Sequence, residues 1–491
     1  MSVPACPSAV ARRRDAAGMS PTPAPCTFAL FLGNRGFFPS SCIASAREEV
    51  LAALAAAGHR GLVPPAEGMR HGAVETAAEG RAWARWFAEA KGCQRIDGVI
   101  LCLPNFGDEN GAVAAMQDAG VPILVQAYPD ELTAMAPATR RDAFCGKMSV
   151  MDVFRQVGIR YTALKPHVVH PATPAFQANL AHFAAVCRVV KGLRRCVIGS
   201  IGARTTAFKT VRIDEVALQQ VGVTVEATDL SDILARIRAM PDHDGAVLDK
   251  AERLRNYTDF SKVPGASFVT LCRLGVALDQ VATELGCDAI ALRCWIELQK
   301  ELNISPCVLL SELNDRGLPA ACEVDIGNAV VMRAIRLATG GQTTLLDWNN
   351  NYGDDPDKVI LFHCGPVPQG LMTGKGVVTD HVLLQPVLGE NCSHGCNTGR
   401  IRPFDFTYGG LVTDKGRCNV FLGHGAFTTD LVPADFFGCA GVARIPGLQD
   451  ILQTIARQGH RHHVALAPGL ARDALVEAMG GYLGYDVTRF A

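Results

Sequence analysis

Two carboxylates follow successive apolar segments of the chain. Glu323 lies in Ala-Ala-Cys-Glu-Val-Asp, where a short apolar run turns into a helix-like segment, and Asp347 lies where the next apolar run ends. Side chains at the ends of neighbouring strands can converge on one point. Together with a histidine, two such carboxylates would form a hard, oxygen-rich site for a divalent cation, with room for substrate oxygens.

Histidine is the third ligand type that such a site needs. The chain has 13 histidines, and His460, His462 and His463 crowd together just before an apolar run. Adjacent side chains at the start of a strand point to opposite faces, so one of His462 and His463 is expected to point inward. His363 ends another apolar run, where a site role and a structural bond to a backbone carbonyl are equal alternatives.

Several further residues are candidates for contacts with a substrate. Arg35 lies in the loop after the first predicted strand, and such loops border the usual binding crevice of a parallel sheet. Trp295 and Asn349 are two more candidates near the predicted carboxylate site. The cluster Cys392–Cys396 has zinc-like spacing but no second pair of ligands, which favours a plain loop.

Composition limits the classes of function. The chain of 491 residues is 48% hydrophobic and 19% charged, with a net charge of −1. This composition is typical of a globular protein of two to four domains and favours neither a nucleic-acid partner nor a membrane. The 18 cysteines are mostly scattered singly, and without a secretion signal they indicate reduced thiols in a cytoplasmic protein.

The order of the predicted elements indicates an α/β protein with a β-rich end. Residues 1–26 are predicted to be a disordered tail rather than a targeting segment, with Met19 as an alternative start. Alternating strand and helix patterns predict doubly wound α/β domains over 27–170 and 171–344, the second carrying Glu323. Residues 345–491 change to short strands separated by turns, which predicts an antiparallel barrel domain with a terminal helix.

These residues together resemble the L-fucose isomerase and L-arabinose isomerase superfamily. The resemblance rests on Ala-Cys-Glu323-Val-Asp, on Leu-Leu-Asp347-Trp-Asn, on Phe-His363-Cys and on His462-His463-Val-Ala. The opening Gly-Asn-Arg35-Gly-Phe-Phe-Pro is similar to that of the shorter L-fucose isomerase-like members. The resemblance implies two Rossmann-like domains followed by a C-terminal β-barrel.

The resemblance also implies a manganese-dependent aldose–ketose isomerase, with Mg²⁺ or Co²⁺ as other possible cations. It implies that Glu323, Asp347 and one of His462 and His463 bind the metal, and the arabinose branch favours His463. His363 falls where that branch has a further ligand. Related proteins are usually hexamers or trimers with shared active sites, so Trp83 or Trp86 could serve the pocket of a neighbouring subunit.

The expected reaction moves a proton between adjacent carbons of an open-chain sugar through a cis-enediol, with Glu323 and Asp347 as the acid/base pair. Which carboxylate acts on carbon stays open. One alternative is a sugar-binding paralogue without catalysis, and another is a hydrolase with metal-activated water. A third is an isomerase of an anionic, for example sulfonated, sugar. Possible cations for such a sugar are Arg35, Arg293, Lys375, Arg400 and Arg402.

Overall fold

The computed structural model describes residues 23–491, so most of the predicted N-terminal tail lies outside the described residues. The described chain forms two compact units, residues 24–191 and residues 192–491. No helix in the described range is long and apolar enough to cross a membrane.

The first unit is a four-stranded parallel sheet with helices on both faces. Its strand order is β2-β1-β3-β4. The elements run β1 (Thr27–Leu32), α1 (Cys42–Ala56), β2 (Arg60–Leu62), α2 (Ala77–Cys93), β3 (Gly98–Leu103), α3 (Glu109–Met116), β4 (Ile123–Ala127), α4 (Ala143–Gln156) and α5 (Pro174–Leu193).

The strands of this sheet do not alternate apolar and polar residues, because both of their faces are buried. Every residue of β3 and β4 is buried, as expected of strands covered by helices on both faces. The helix α2 begins with a capping box in which Thr76 and Glu79 satisfy each other's backbone N–H groups. Phe176, Leu180 and Phe183 of α5 pack in the core of this first sheet.

The second unit begins with another four-stranded parallel sheet, in the order β6-β5-β7-β8. Its elements are β5 (Cys196–Ile201), α6 (Glu215–Gln220), β6 (Val223–Thr228), α7 (Leu230–Ala239), α8 (Gly245–Tyr257), α9 (Gly265–Glu284), β7 (Ala289–Leu292), α10 (Glu297–Leu302), α11 (Cys307–Arg316), β8 (Ala320–Cys322) and α12 (Ile326–Thr339). Glu323 is therefore the first residue after the edge strand β8, at the carboxyl end of the sheet.

The same unit continues into a closed antiparallel barrel. The further elements are β9 (Thr344–Tyr352), β10 (Asp355–His363), β11 (Val377–Thr379), α13 (Gln385–Leu388), β12 (Cys396–Arg400), β13 (Phe404–Asp414), β14 (Arg417–Phe427), β15 (Cys439–Arg444), α14 (Leu448–Arg457), β16 (His463–Pro468), α15 (Arg472–Val476) and β17 (Asp486–Arg489).

Six of these strands close the barrel. β15 pairs with β10, then β9, β16, β13 and β14 follow in order, and β14 pairs with β15 again. Closure removes the open edges that a six-stranded sheet would otherwise expose. The predicted fold class, two α/β sheets followed by an antiparallel barrel, is confirmed.

The structure differs from the sequence-based expectation at Asp347. We expected the apolar run to end at this residue, but β9 continues to Tyr352. Polar residues can occupy the far end of β9 because only the first part of the strand is buried. Asp347 thus projects from the middle of a barrel strand, where its position is fixed by strands on both sides.

Candidate metal centre

Glu323 lies in a strained turn between β8 and α12. Both Glu323 and Val324 adopt left-handed backbone conformations, with φ of 64° and 59°. This conformation is uncommon for any side chain and unfavourable for a β-branched one, and it persists only where the surroundings fix it. Val324 is buried, and its N–H donates to the carbonyl of Leu292 on β7. The strain turns the Glu323 side chain back over the end of the sheet.

His463 is the residue on which the site centres. Its side chain is 0% exposed, and Nε2 lies 2.8 Å from Glu323 Oε2 and 3.5 Å from Asp347 Oδ1. Its neighbour His462 is 44% exposed, and its Nε2 lies 3.8 Å from the same oxygen of Asp347. The inward-pointing histidine of the pair is therefore His463.

Strand pairing places Asp347 beside this histidine. In the antiparallel pair of β16 and β9, His463 is directly opposite Asp347. Asp347 Oδ1 is buried and accepts no hydrogen bond within the described residues, although the side chain is 23% exposed. The Asp347 side chain is therefore only partly covered by its neighbours.

His363 supplies a second imidazole from the next strand. It is the last residue of β10, which pairs with β9 so that Phe362 is opposite Asp347. The His363 Nδ1 atom lies 3.2 Å from Cys364 Sγ. Its Nε2 is buried and has no hydrogen-bond partner in the described part of the chain.

Asp325 is a site residue that sequence reasoning did not select. It caps α12 through the backbone N–H of Asn328, and its carboxylate also pairs with His463 Nδ1 at 2.7 Å and with Arg461. All three groups are essentially buried. The available signal was Asp325 two residues after Glu323, at the position of a helix cap.

Two aromatic side chains border the carboxylates. Trp295 Nε1 donates to Glu323 Oε1 at 2.8 Å, so both Glu323 oxygens have neighbours. Phe208 packs against Trp295, His462 and His463 with ring centroids 5.4 to 5.9 Å apart. Phe208, from the loop after β5, was not selected from the sequence because nothing local distinguishes it from a core aromatic residue.

Burial and neighbouring charges have opposite net effects on the pKa values of the two carboxylates. Burial raises the pKa of Glu323, but contact with His463 and the charges of His463 and His363 outweigh it, and the pKa is lowered overall. Burial raises the pKa of Asp347, and the neighbouring histidines offset this only in part. The neighbours of the two carboxylates therefore shift their pKa values in opposite directions, down for Glu323 and up for Asp347.

Without a cation, the pKa values of His363 and His463 are raised, whereas that of His462 is lowered. Burial lowers the pKa of His363, but Cys364 and Asp347 outweigh it and raise the pKa to about 9. Burial likewise opposes charge on His463, but Asp325 and Glu323 raise its pKa to about 10. Burial and the charge of His463 lower the pKa of His462.

This donor set fits a divalent cation. The ligand atoms of Glu323, His363 and His463 lie within 4.8 Å of one another, as do those of Asp347, His462 and His463. Asp347 Oδ1 and His363 Nε2 are buried without hydrogen-bond partners among the described residues, whereas His463 Nε2 lies 2.8 Å from Glu323 Oε2. Leaving buried polar atoms unpaired is costly, and a bound cation would satisfy both Asp347 Oδ1 and His363 Nε2. Oxygen and imidazole ligands together suit ions such as Mn²⁺ or Co²⁺.

The other predicted substrate residues lie in different surroundings. Asn349 is exposed at a bulge in β9, where the register to β10 shifts. Arg35, in the first unit, is engaged by Glu109, donates to Gly107 O at 2.8 Å and covers the ring of Phe106. Its predicted role toward a substrate stays a prediction.

The two tryptophans of α2 have mainly structural neighbours. Trp83 is fully buried, donates through Nε1 to Leu30 O and stacks on Phe87. Trp86 is half-buried and packs edge-on against Trp83. Contact with a neighbouring subunit's substrate stays a prediction for both, and Trp83 would have to leave its core position to make it.

Comparison with known proteins decides the family. Residues 29–194 match the N-terminal domain of fucose/sulfoquinovose isomerase, and residues 361–491 match the C-terminal domain of L-fucose isomerase. The two matches together cover more than half of the chain. This chain belongs to the fucose/sulfoquinovose isomerase family. The resemblance seen in the sequence is thereby confirmed.

Known relatives match over most of this family member. Proteins named sulfoquinovose isomerase from Priestia aryabhattai and Priestia megaterium are each 23% identical over 389 residues, which is 78% of this chain and 83% of theirs. A sulfoquinovose isomerase from Alkalicoccus urumqiensis is 23% identical over 376 residues, covering 75% of this chain and 81% of its own.

The two family matches cover only part of the candidate site. His363, His462 and His463 lie inside the C-terminal match, whereas Glu323 and Asp347 lie between the two matched segments. The case for the two carboxylates therefore rests on their contacts with His463 rather than on the family matches.

Proposed function

We propose that this sugar isomerase family member is a metal-dependent aldose–ketose isomerase that acts on a sulfonated aldose. The observation that carries the proposal is the convergence of Glu323, Asp347, His363 and His463, with two buried ligand atoms, Asp347 Oδ1 and His363 Nε2, that have no hydrogen-bond partner among the described residues. The sulfonated substrate is supported by relatives named sulfoquinovose isomerase over three quarters of the chain.

In the proposed site Glu323, Asp347, His463 and His363 hold the cation, and Mn²⁺ is the expected ion. When bound, a divalent cation polarises carbonyl and hydroxyl oxygens and stabilises negative charge that develops on them. The protein's part is to fix the ligands. Asp325 holds Nδ1 of His463, which leaves Nε2 of that ring for the cation.

The two carboxylates have different roles in this proposal. Glu323 contacts Trp295 and His463 through its two oxygens, and its lowered pKa keeps it ionised as a ligand. Asp347 has a raised pKa and a partly exposed side chain, so it is the better proton carrier. Asp347 would remove the proton from carbon 2 of the aldose and return it to carbon 1 of the cis-enediol.

The aromatic side chains would shield this proton transfer from water. Trp295 and Phe208 cover one side of the carboxylates, and Thr205 Oγ1 donates to the carbonyl of Trp295 at 3.1 Å. This bond ties the loop after β5 to the wall of the site. Excluding water strengthens the interaction of the fixed charges with the reacting atoms.

The loop after β5 also supplies cations for a sulfonate. Arg204 donates to the carbonyls of Thr205 and Thr206, and Lys209 follows Phe208 directly. Among the described residues no carboxylate forms an ion pair with either side chain. A planar guanidinium suits the oxygens of an anionic group, and an ammonium adds a point charge.

The cations proposed from the sequence alone are less available in the second unit. Arg293 pairs with Glu297 at 2.6 Å, and Arg400 donates to a set of backbone carbonyls. Arg402 covers the ring of Phe404 and donates to Gly370 O. We therefore propose that Arg204 and Lys209, rather than the three arginines named above, bind the sulfonate.

The direct test is ketose formation by the purified full-length protein. Sulfoquinovose and the corresponding neutral aldose are each supplied with Mn²⁺, and products are identified by nuclear magnetic resonance. We expect conversion of the sulfonated sugar, loss of activity with a chelator and recovery with Mn²⁺. Metal binding without isomerisation of either aldose would contradict the proposal and favour a sugar-binding protein.

Two variants separate the roles of the carboxylates. Asp347→Asn keeps an amide oxygen for the cation and, measured at saturating Mn²⁺, should lose exchange of the carbon-2 proton with solvent by at least about 10²-fold, the size of a general-base contribution. Glu323→Gln should lose metal affinity and activity together. Asp354→Asn changes an exposed turn carboxylate and is the matched control. Equal proton exchange in Asp347→Asn and wild type would remove Asp347 from the mechanism.

Substitution of the loop cations tests the sulfonate. Arg204→Ala and Lys209→Ala should each raise KM for the sulfonated aldose about tenfold while changing kcat little, because they bind a part of the substrate that does not react. Lys262→Ala, an exposed lysine between α8 and α9, is the control. An equal rise in KM for the neutral aldose would show that these cations do not recognise the sulfonate.

A further inference from the structure

Four buried cysteines and the partly buried Cys364 form a continuous line of thiols beside the candidate metal centre. Cys307 Sγ lies 3.6 Å from Cys364 Sγ and 3.9 Å from Cys396 Sγ. Cys364 also contacts Cys322, and Cys322 contacts Cys294. Five different parts of the second unit supply these thiols, namely the segment after β7, the end of β8, the residue after β10, the start of α11 and the start of β12.

The thiol line meets the metal centre at His363. Cys364, which lies in the line between Cys307 and Cys322, has its Sγ 3.2 Å from His363 Nδ1. Cys322 Sγ, Cys364 Sγ and a ring nitrogen of His363 all lie within 4.8 Å of one another. The two nitrogens of His363 therefore serve different surroundings, with sulfur at Nδ1 and an unpaired, buried Nε2.

The geometry points to a second metal site, formed by Cys322, Cys364 and His363, that binds a thiophilic ion such as Zn²⁺, Cd²⁺ or Cu⁺. Two thiolates and an imidazole are the donors that such ions prefer over Mn²⁺ and Mg²⁺. This inference rests on the proposed function in one respect. If His363 is a ligand of the catalytic cation, an ion at the thiol site competes for the same ring and inhibits the enzyme.

The spacing of the sulfur atoms suits such an ion. Zinc–sulfur bonds of about 2.3 Å in a tetrahedral site place two ligand sulfurs about 3.8 Å apart. The Sγ–Sγ separations of 3.6 Å between Cys307 and Cys364 and of 3.9 Å between Cys307 and Cys396, in the same line, are close to this value. Cys307, in contact with Cys364, and Cys294, in contact with Cys322, are the candidates for the remaining coordination position.

Binding at this site involves no oxidation or reduction. Each coordinating thiol loses its proton to solvent, and the cation replaces those protons between the sulfurs. Cys322 is fully buried, whereas Cys364 is only partly buried and gives the ion its point of entry. Five of the 18 scattered cysteines, which the sequence indicated only as reduced thiols, are thus in contact with one another in the second unit.

Cadmium is the probe, because its thiolate complexes absorb in the near ultraviolet and need no sugar for detection. Reduced full-length protein, preloaded with Mn²⁺, is titrated with Cd²⁺ while absorption and isomerase activity are followed. We expect saturation of the thiolate absorption near one equivalent, together with loss of activity. Cys322→Ala should weaken the absorption titration at least tenfold, and Cys272→Ala, a buried thiol outside the line, should not.

Two further measurements keep the inference falsifiable. Glu323→Gln should retain the cadmium–thiolate absorption, since it alters only the carboxylate site. Cys322→Ser, checked by its melting temperature, replaces Cys322→Ala if the latter fails to fold. Absence of thiolate absorption in folded wild-type protein would overturn the inference whether or not the protein isomerises a sugar. Inhibition by Cd²⁺ of equal strength in wild type and Cys322→Ala would overturn it as well, because the ion would then act at the carboxylates.

Discussion

His463 uses both of its ring nitrogens, and this decides how the site is built. Nδ1 is held by Asp325, which is in turn held by Arg461 and by the first turn of α12. Nε2 is directed at Glu323 and Asp347. A carboxylate behind a ligand histidine fixes the tautomer and the ring orientation and makes the imidazole a stronger ligand.

Asp325→Asn tests this arrangement. We expect Mn²⁺ affinity to fall about 10- to 100-fold, because the outer carboxylate that orients His463 is lost. We also expect the free energy of unfolding to fall by about 3–5 kcal/mol, because buried Arg461 loses its charged partner. Calorimetric titration and urea unfolding measure the two effects, with Asp354→Asn as the control. Unchanged metal affinity in folded Asp325→Asn protein would show that Asp325 is only structural.

Metal binding should release protons. His363 and His463 have pKa values raised to about 9 and about 10, so both rings are protonated in the metal-free protein at pH 7.5. A cation binds only the neutral imidazole, so its affinity should rise with pH until it passes these values. Titration calorimetry in two buffers of different ionisation enthalpy should show release of about two protons per Mn²⁺. A heat that is independent of the buffer would contradict this.

At the scale of elements, the close approach of α12 to the barrel positions Glu323. A Cβ atom on Gly327, in the first turn of α12, would lie 2.6 Å from Leu411 O on β13 and 3.0 Å from Arg461 Nη1. Only glycine permits this approach, and it ties the turn that carries Glu323 to the strand that carries His463 through Arg461 and Asp325.

Gly327→Ala should therefore damage both stability and the site. We expect a loss of about 1–3 kcal/mol of unfolding free energy from overpacking, together with a loss of metal affinity as α12 shifts. Gly265→Ala, at the start of α9 where an added Cβ meets nothing within 4 Å, is the matched control. Urea unfolding and Mn²⁺ titration of both variants check the prediction. A Gly327→Ala protein that binds Mn²⁺ like wild type would show that α12 does not set the position of Glu323.

At the scale of the whole molecule, the candidate metal centre takes its residues from both the parallel sheet and the barrel of the second unit. The parallel sheet supplies Glu323 from the end of β8, and the barrel supplies Asp347, His363 and His463 from three adjacent strands. The barrel fixes its three residues by register, since β9 lies between β10 and β16. The sheet fixes the fourth by a strained turn.

The chain is expected to form a homo-oligomer. The first unit exposes several large apolar side chains near α4, including Leu132, Met135, Phe144 and Met148. Exposed apolar groups of this kind are typical of interaction surfaces. Light scattering after gel filtration should give a multiple of the 52.3 kDa chain mass, a trimer or hexamer by family resemblance. Phe144→Glu combined with Met148→Glu should lower that mass, and a monomeric wild type would contradict the prediction.

Much of the fold was accessible from the sequence because its signals are local. Buried parallel strands appear as continuous apolar runs, and the alternation of strands and helices that the sequence predicts from residue 27 onward is present in the first unit. The boundaries 26/27, 170/171 and 344/345 stay predictions. The sequence placed helix α5 in the second domain, but α5 packs on the first sheet. The sequence of a helix shows which of its faces is apolar, but not which sheet that face covers.

The sequence by itself determined the types of ligand and the segments that carry them. Polar residues next to buried strands can be recognised in a sequence even when they lie far apart along the chain. For this reason the sequence singles out Glu323, Asp347, His363 and the histidine pair. Only the tertiary structure decided that His463 faces inward, that Asp325 and Arg461 support it, and that five thiols meet beside His363. The physical reason is that these contacts join residues far apart in sequence, and strand register and helix packing determine them.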